Sequence, residues 1–248
     1  MNTIYILWLR QMKKYFRSRS RILGSLGQPV LFLLAFGYGF GSIYKKAGGG
    51  NYIDFLAPGI ILMSVLFTSI FSGIELIWDR QFGFLKETMV APVSRFEIML
   101  GKTIGGASVA FIQGIIVFIL TLIVGFRPQN IELLPIAVLF VGLVALLFTA
   151  LGTVIGSVLE DMQGFQLIMN FLVQPTFFLS GALFPLTNLP PVMEAITKID
   201  PLSYGVDGLR GALIGKATFG IFQDFTILII IALIFLGIGS YLFEKIQV

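Results

Sequence analysis

Two residue types that carry much of protein chemistry are missing from this 248-residue sequence, which contains no cysteine and no histidine. Without cysteine there is no disulfide framework, no thiolate nucleophile and no cysteine-ligated zinc or iron–sulfur centre. Without histidine the commonest proton shuttle and metal ligand are lost, and neither Ser–His nor Cys–His catalysis can be assembled. The sequence therefore predicts no catalytic residue and no metal site, although 13 carboxylates leave carboxylate chemistry open.

Charge is scarce as well. Charged residues make up 12% of the chain, about half of the ~25% that is usual in a soluble domain. Hydrophobic residues make up 56%, and the mean hydropathy is +0.94. A water-soluble globule of this size could not bury so much apolar surface, so both a cytosolic enzyme and a disordered chain are excluded.

The few charges divide the chain into long neutral runs. Roughly 20 helical residues cross a bilayer core, and each run can cross once; prolines in the run from 162 to 193 end its crossing near Gly181. The runs are apolar all round, whereas strands of a membrane barrel alternate. We therefore predict one all-α polytopic membrane domain over residues 1–248, with six transmembrane helices at about 22–44, 55–77, 103–126, 133–159, 163–181 and 225–243.

Glycine and basic residues add detail to this prediction. The pairs Gly37/Gly41 and Gly152/Gly156 have the spacing that allows helices to approach closely, which favours ordinary packing over a binding role. Of the 17 Lys and Arg residues, eleven fall on the side of the membrane that carries both chain termini. That excess predicts cytoplasmic N- and C-termini.

Residues 3–18 are predicted to form an amphipathic helix outside the spans. At 100° per residue its apolar side chains share one arc, while Arg10, Lys13, Lys14 and Arg17 fill the other. Such a helix, with Trp8 on its apolar face, is typical of the cytoplasmic membrane interface. A nucleic-acid arm is the competing interpretation, but the apolar face would then be bare, so we predict membrane lipids and no nucleic acid as its partner.

The loop at residues 79–102 holds the densest charge in the chain. Pro92 should stop a short helix, and Ser94 should cap the next one, with Glu97 three residues later as in a capping box. A solvated connector would explain the charges, but Phe82 and Phe84 are interleaved with them, which favours a docking surface. The sequence Gly101-Lys102-Thr103 resembles the end of a phosphate loop, but Phe96 stands where that motif needs glycine, so no ATP site is predicted.

The segment 185–219 is predicted to lie on the opposite side of the membrane. Its prolines and glycines bound two apolar stretches, 192–199 and 206–214, that are too short to cross. We therefore predict short re-entrant or interfacial helices before the last span. Asp207 and Arg210 are three residues apart and could pair on one helix face.

Short sequences spread over the whole chain carry a resemblance to a known family. They are FLAPGI at 55–60, DRQFGFLK at 79–86, APVSR at 91–95, LGK at 100–102, LPP at 189–191, DPLSY at 200–204 and DGLR at 207–210. In order and spacing the chain resembles the type 2 ABC exporter permeases (the ABC-2 family), particularly the branch of daunorubicin-resistance and nodulation export permeases.

The resemblance implies partners, cofactors and a location. Such permeases are six-span half-transporters of the prokaryotic cell membrane that pair as dimers, here as a homodimer. They bind two copies of a separate ABC ATP-binding subunit, so ATP and Mg²⁺ would be held by that partner and no cofactor by this chain. ATP binding would switch the permease between inward-open and outward-open or channel-like states, and the exported cargo would be amphipathic, lipid-linked or drug-like.

The resemblance also implies roles for individual residues. The loop after the second span resembles the coupling helix that contacts the ATPase. Many relatives have Glu at positions 81 and 86, where this chain has Gln and Lys, so no acidic contact is assigned there. By position, the ATPase contacts are Gly83, Phe84, Lys86 and Glu87; the residues that hold the loop geometry are Arg80, Pro92 and Arg95; and the outer gate and re-entrant residues are Pro201, Tyr204, Asp207 and Arg210.

Polar residues inside the spans are candidates for a translocation path, namely Glu75, Gln113, Asn170 and Gln174. Glu75 could instead reach the membrane interface or pair with Arg80, and the three amides could instead bond between helices. Two other classes remain as alternatives: a secondary transporter or channel working without an ATPase, and an intramembrane enzyme or scaffold. The first lacks inverted repeats and charged spans, and the second lacks catalytic side chains.

Overall fold

The computed structural model describes residues 3–46, 50–186 and 189–246, and these residues are helical with short connections. The predicted all-α polytopic fold is confirmed. The helices are α1 (Thr3–Arg17), α2 (Arg19–Lys46), α3 (Tyr52–Gln81), α4 (Phe84–Val90), α5 (Arg95–Val124), α6 (Leu134–Val158), α7 (Met162–Ile168), α8 (Gln174–Leu179), α9 (Pro191–Ile199), α10 (Pro201–Ile214) and α11 (Ile221–Glu244).

Five helices of the described residues are long and apolar enough to cross a membrane, and they are α2, α3, α5, α6 and α11. They correspond to the predicted spans 22–44, 55–77, 103–126, 133–159 and 225–243, to within two residues at the ends of α5 and α6. The helix that Ser94 is predicted to cap is continuous with the span from 103, so α5 begins eight residues before that span. The connection predicted at 79–102 is accordingly mostly helical. The bundle has two ends, which we name the α4 end, with α1, α4 and residue 246, and the α10 end, with α9 and α10.

The predicted span 163–181 lies on α7 and α8, which are joined by a π-helical turn at Met169–Val173. The physical cause is Pro175. Its ring excludes the carbonyl oxygen four residues before it and it has no N–H to donate, and the preceding Gln174 N–H bonds to Met169 five residues back. A π turn accommodates this mismatch without ending the helix. A sixth crossing therefore stays a prediction, carried by an interrupted helix.

Helix α3 is the centre of the bundle, with α5 and α6 packed against it. A methyl group added at Gly73 would lie 2.3 Å from the carbonyl oxygen of Gly152, and one at Gly156 would lie 2.5 Å from that of Gly73. The backbones of α3 and α6 therefore touch, as the Gly152/Gly156 spacing predicts. Of the other predicted pair, Gly37 faces Ile53 at 3.1 Å, whereas Gly41 meets open space.

Helix α1 packs on α5, which differs from the prediction that its apolar arc faces lipid. A methyl group at Gly105 would lie 2.7 Å from Cγ of Gln11, and Leu7 covers Gly101 in the same way. The indole N–H of Trp8 donates to Ser108 Oγ at 3.0 Å. Only the remainder of the arc, including Phe16, is exposed. The glycines of α5 allow α1 to pack closely against the bundle. Helix α1 is therefore left with a narrower apolar face toward the membrane.

At the other end of the bundle, α10 is buried along its length, from Leu202 to Ile214. It packs on α3, α6 and α11, and small residues permit this, since Gly205 faces Val144 and Gly208 faces the ring of Phe140. Two short helices, α9 and α10, are present where the prolines and glycines of 185–219 predict them. Residues 187 and 188 of that segment lie outside the described residues.

Substitution of Gly73 by alanine should lower stability, because the added methyl group has no room against the α6 backbone. Overpacking of this kind costs about 1–3 kcal/mol. Gly41→Ala is the matched control, since its methyl group meets open space and alanine favours the helix. Thermal unfolding of the two purified variants compares them directly. Equal unfolding temperatures would contradict the close α3–α6 contact.

Candidate functional site

Two carboxylates one turn apart on α3, Glu75 and Asp79, organise the α4 end. Asp79 is 8% exposed and accepts two hydrogen bonds from the guanidinium of Arg10 on α1, at 3.1 and 3.3 Å. Lys102 on α5, also buried, donates to the same carboxylate. A buried carboxylate is costly unless it is paired and fully hydrogen-bonded. Asp79 therefore holds α1, α3 and α5 together.

Glu75 forms the second part of this arrangement. It pairs with Arg21 at the start of α2 and with Lys14 of α1, whose Nζ lies 3.6 Å from its carboxylate. The predicted alternative of a Glu75–Arg80 pair is therefore wrong. The reason is geometric: α1 and α2 bring their cations to the face of α3 that carries Glu75, whereas Arg80 is on a different face. We name Arg10, Lys14, Arg21, Glu75, Asp79 and Lys102 the ion cluster.

Arg80 and Arg95 bind the last carbonyl groups of other helices. Arg80 donates to the carbonyl oxygens of Ser157 and Leu159, at 3.0 and 3.3 Å, where α6 ends. Arg95 donates to Ile246 at 2.9 Å, where α11 has ended. Both cations meet unpaired carbonyls at the negative end of a helix dipole. These predicted loop-geometry residues thus connect the ends of α3 and α5 to α6 and α11.

Helix α4 is attached to the ion cluster by its first residue. Gly83 has a φ of 78°, a left-handed conformation that glycine adopts easily, and it turns the chain sharply between α3 and α4. The guanidinium carbon of Arg10 then lies 3.5 Å from the centre of the Phe84 ring, a cation–π contact. Phe84 is therefore partly covered by α1 rather than free for a partner.

The exposed side chains of the α4 region form a small surface on the outside of the bundle. Phe82 is 81% exposed and Val90 is 87% exposed, and the predicted contact residues Lys86 and Glu87 lie exposed between them. Pro92 is exposed in the turn that follows, and Ser94 Oγ accepts the Glu97 N–H, as predicted. We name Phe82, Lys86, Glu87 and Val90 the α4 surface. The exposure of Phe82 and Val90 was not predicted, because alternation with charges does not show which aromatic side chain turns outward.

A cavity of about 670 Å³ opens beside the ion cluster, between α2, α3 and α7. Apolar side chains such as Phe67, Phe71 and Trp78 form much of its wall, and Glu75 and Gln113 lie on it. The amide nitrogen of Gln113 is buried without a hydrogen-bond partner, while its oxygen accepts the Tyr15 hydroxyl at 2.8 Å. Ser64 Oγ on the same wall also lacks a partner. The cavity thus offers an apolar wall with two unused polar groups.

The other two predicted path residues are elsewhere. Asn170 and Gln174 are exposed on the side of the α7–α8 helix that faces away from the core. Gln166, on the same side, contributes to the cavity and lies 3.5 Å from the Asn170 side chain. The structure therefore brings Glu75 and Gln113 together and leaves Asn170 and Gln174 on an exposed stripe. Spacing of the amides at 166, 170 and 174 along one helix face could have indicated Gln166 too.

The predicted outer-gate residues make main-chain contacts at the α10 end. Pro201 is in the first turn of α10, and the Tyr204 hydroxyl donates to the Lys198 carbonyl oxygen at 2.6 Å. Arg210 donates to the carbonyl oxygens of Phe55 and Gly181, at 3.3 and 3.0 Å.

Asp207 accepts the backbone N–H groups of Thr218 and Phe219. The predicted Asp207–Arg210 pair is therefore wrong, because each of the two side chains forms hydrogen bonds with backbone groups of neighbouring segments instead. Asp200 precedes α10 and accepts the Leu202 N–H at 2.9 Å, and burial raises the pKa of its carboxyl group to about 7.

Metal-ligating side chains do not cluster among the residues that the structure describes. Among residues 3–46, 50–186 and 189–246 no three Asp or Glu side chains cluster in a way that could hold a metal ion. The Gly101-Lys102-Thr103 sequence is used for packing, since Gly101 lies against α1 and Lys102 is paired with Asp79. Helix packing and an ion pair thus explain why glycine and lysine stand at these two positions.

Comparison with known proteins supports a transport role. The family model described as ABC-2 type transporter matches residues 2–214. Nodulation protein J of Sinorhizobium fredii is 25% identical over 224 residues, covering 88% of this chain and 84% of the relative. Inner membrane transport permease YadH of Escherichia coli K12 is 26% identical over 234 residues, covering 92% and 90%. The protein named ycf38 of Pyropia yezoensis is 31% identical over 213 residues, covering 84% and 72%.

The apolar helices make the protein a polytopic membrane protein, and the family match makes it a membrane transport permease. The family match covers most of the chain and agrees with that architecture. The chain belongs to the ABC-2 type transporter family, as the short sequences at 55–60, 79–86 and 200–210 predict.

Loss of Lys102 should destabilise the permease strongly. Lys102→Met keeps the length of the side chain but leaves Asp79 with Arg10 alone, and removal of one partner of a buried pair costs about 3–5 kcal/mol. Adding Asp79→Asn should recover part of that loss, which a double-mutant cycle by thermal unfolding measures. Lys198→Met, in the exposed Lys198–Glu194 pair, is the control and should change little. Strict additivity of the two substitutions would contradict a joint role for the pair.

Proposed function

We propose that the chain is the membrane-spanning subunit of an ATP-driven exporter, moved by separate ABC ATP-binding subunits. The observation that carries the proposal is the attachment of the α4 surface to the ion cluster through Arg10 and Phe84. A helix that only connected two spans would need no such attachment. The ABC-2 family implies an ABC ATP-binding partner, and relatives such as YadH are named transport permeases.

The surroundings of α4 are suited to contact with a soluble partner. A groove of about 1080 Å³ lies beside it, lined by Lys86, Met89, Val90, Arg95 and the last described residues, Glu244, Lys245 and Ile246. Apolar side chains exposed to water next to charged ones are typical of an interface core with a polar rim. In the proposed complex the ATP-binding subunit covers Phe82 and Val90, and Lys86 and Glu87 form its rim. Two such subunits, on two copies of this chain, supply the ATP and Mg²⁺ sites.

Motion of the partner would reach the spans through the ion cluster. Because Arg10 contacts both Phe84 and Asp79, displacement of α4 carries α1 with it, and Lys102 links the same carboxylate to α5. Glu75 extends the connection to α2 through Arg21. These helices then shift as a body relative to the rest of the bundle, and ATP drives the shift by binding one arrangement more tightly.

The cavity beside α2 is the proposed start of the translocation path. Its aromatic wall suits the apolar part of an amphipathic, lipid-linked or drug-like cargo, while Gln113 and Ser64 supply polar contacts. The exposed amides of Asn170 and Gln174 are costly against lipid, which suits a position facing the second copy of the chain or a wet path. The charge distribution predicts cytoplasmic termini and the family resemblance implies a prokaryotic cell, so the path leads outward.

Charge on the α4 surface should prevent coupling. In Phe82→Asp/Val90→Asp the two apolar side chains that the ATP-binding subunit would cover carry charge, and an unpaired charge in an interface is expensive. We expect the variant to fold but to lose co-purification with the ATP-binding subunit, together with ATP hydrolysis by the complex. Val192→Asp, an exposed apolar residue of α9, is the control and should retain both. Full association of the double variant would exclude the α4 surface as the docking site.

Gln113→Leu should separate transport from assembly. It removes the unpaired amide from the cavity wall and leaves the Tyr15 hydroxyl without its acceptor, while the α4 surface is unchanged. We expect normal binding of the ATP-binding subunit but weaker stimulation of ATP hydrolysis by cargo, screened with a phospholipid, a lipo-oligosaccharide and a hydrophobic drug in proteoliposomes. Gln129→Leu, an exposed residue at the α10 end, serves as control. Unchanged stimulation by every compound that stimulates the wild type would place the path elsewhere.

A further inference from the structure

A groove of about 930 Å³ lies where α1 ends and α2 begins. Five basic side chains line it, and they are Arg10, Lys13, Lys14, Arg17 and Arg19. Two serines between and after the last of them add hydroxyl groups, and apolar side chains of α1 complete the wall. Among the described residues that line the groove, none is acidic. We name this concave, strongly positive surface the basic groove.

Three of the cations in the basic groove have no carboxylate partner. Lys13, Arg17 and Arg19 are exposed and form no ion pair in the part of the chain that the structure describes. The other two belong to the ion cluster, which already has four cations for two carboxylates. The neighbouring sequence supplies no acid either, because the first Asp or Glu of the chain is Asp54. The groove therefore keeps three positive charges that nothing in the described structure neutralises.

Like charges also stand side by side along α1. Lys13 and Arg17 are four residues apart, as are Arg10 and Lys14, and residues at this spacing are neighbours on one helix face. Like-charge neighbours of this kind destabilise a helix. Arg19 brings a further positive charge to the same groove from α2. An anion held in the groove would relieve this repulsion and would contact cations of both helices.

The basic groove lies at the level where the apolar part of α2 begins. The neutral run of α2 starts at Ile22, three residues after Arg19. Beside the groove, α1 exposes Tyr5 and Phe16, and α2 exposes Leu23 one turn after Arg19. Basic side chains with exposed apolar ones next to them are typical of the headgroup region of a bilayer. The anion within reach of the groove is therefore a lipid phosphate.

We propose that the basic groove binds the headgroup of one anionic phospholipid of the leaflet at the α4 end. Arg17 and Arg19 contact the phosphate, because a planar guanidinium group can bind two phosphate oxygens at once, and Lys13 adds a further positive charge. The hydroxyl groups of Ser18 and Ser20 donate to the same headgroup. The acyl chains lie against the exposed apolar side of α2. This site goes beyond the proposed function and does not depend on the ATP-binding subunit.

The site should distinguish lipids by charge. Each basic side chain near an anionic surface changes the binding constant about fivefold. Phosphatidylglycerol should therefore bind more tightly than phosphatidylcholine, whose choline group cancels the phosphate charge, by about tenfold or more. Salt should weaken this preference, because the three unpaired cations are exposed and their charges are screened.

Native mass spectrometry of the purified full chain tests the proposal, since it counts the molecules of phosphatidylglycerol or phosphatidylcholine that the protein retains from detergent. Lys13→Gln/Arg17→Gln/Arg19→Gln removes the three unpaired cations and leaves the ion cluster unchanged. We expect one phosphatidylglycerol per wild-type chain. The triple variant should bind the two lipids with affinities within about twofold of each other.

The matched control is Lys45→Gln/Lys46→Gln/Lys216→Gln. It removes the same number of exposed positive charges from the opposite end of the bundle and should keep the preference for phosphatidylglycerol. A second measurement needs no variant. Phosphatidylglycerol should raise the unfolding temperature of the wild type more than phosphatidylcholine does, and inorganic phosphate, which has no acyl chains, should not reproduce that rise.

Equal affinity of the wild type for the two lipids would overturn the proposal. A preference that the groove variant retains, or that the control variant also loses, would do the same. Inorganic phosphate that stabilises the protein as much as phosphatidylglycerol would assign the groove to a free anion and contradict a lipid site. A groove variant that keeps the lipid preference but no longer co-purifies with the ATP-binding subunit would assign the groove to that partner instead.

Discussion

The arrangement of the α4 end depends on one constraint: the central helix of a membrane bundle carries two carboxylates one turn apart. Glu75 and Asp79 cannot remain charged inside the bundle without cations, and the cations come from three other helices, α1, α2 and α5. Arg10 also covers Phe84. The cation that neutralises Asp79 therefore also attaches α4 to the spans. The proposed ATP-driven permease needs such an attachment.

The two ends of the bundle differ in their use of ion pairs. The α4 end combines the side-chain ion pairs of the ion cluster with the contacts of Arg80 and Arg95 to backbone carbonyl groups. At the α10 end, buried side chains bond to backbone groups. Arg210 donates to two carbonyl oxygens, and Asp207 accepts two backbone N–H groups. Backbone partners are fixed by the course of the chain, so the α10 end should change shape less readily. Movement in the ABC-2 permease is thus expected to begin where the ion cluster is.

Much of the fold could be predicted from the sequence, because hydropathy and helix-capping patterns are local. The neutral runs indicate the spanning helices, and Ser94 with Glu97 indicates the start of α5. The site was less accessible because its contacts join distant residues: Asp79 and its partner Arg10 are 69 positions apart. Sequence spacing suggested a local partner for Glu75 and for Asp207, and in both cases the folded chain supplies a distant or backbone partner instead. The exposed aromatic side chain near α4 is that of Phe82 rather than Phe84, since the Arg10 guanidinium covers the Phe84 ring.

In the proposed mechanism α1 and α4 move together because Arg10 joins them. The chain has no cysteine, so spin labels can be placed at Lys13→Cys on α1 and Ala91→Cys after α4 without background labelling. Electron-spin distance measurements on the complex with its ATP-binding subunit, with and without ATP, test the claim directly. We expect one narrow distance distribution that is the same with and without ATP, and a broader distribution when Arg10→Gln is added. A distribution that shifts with ATP while Arg10 is intact would show that the two helices move separately.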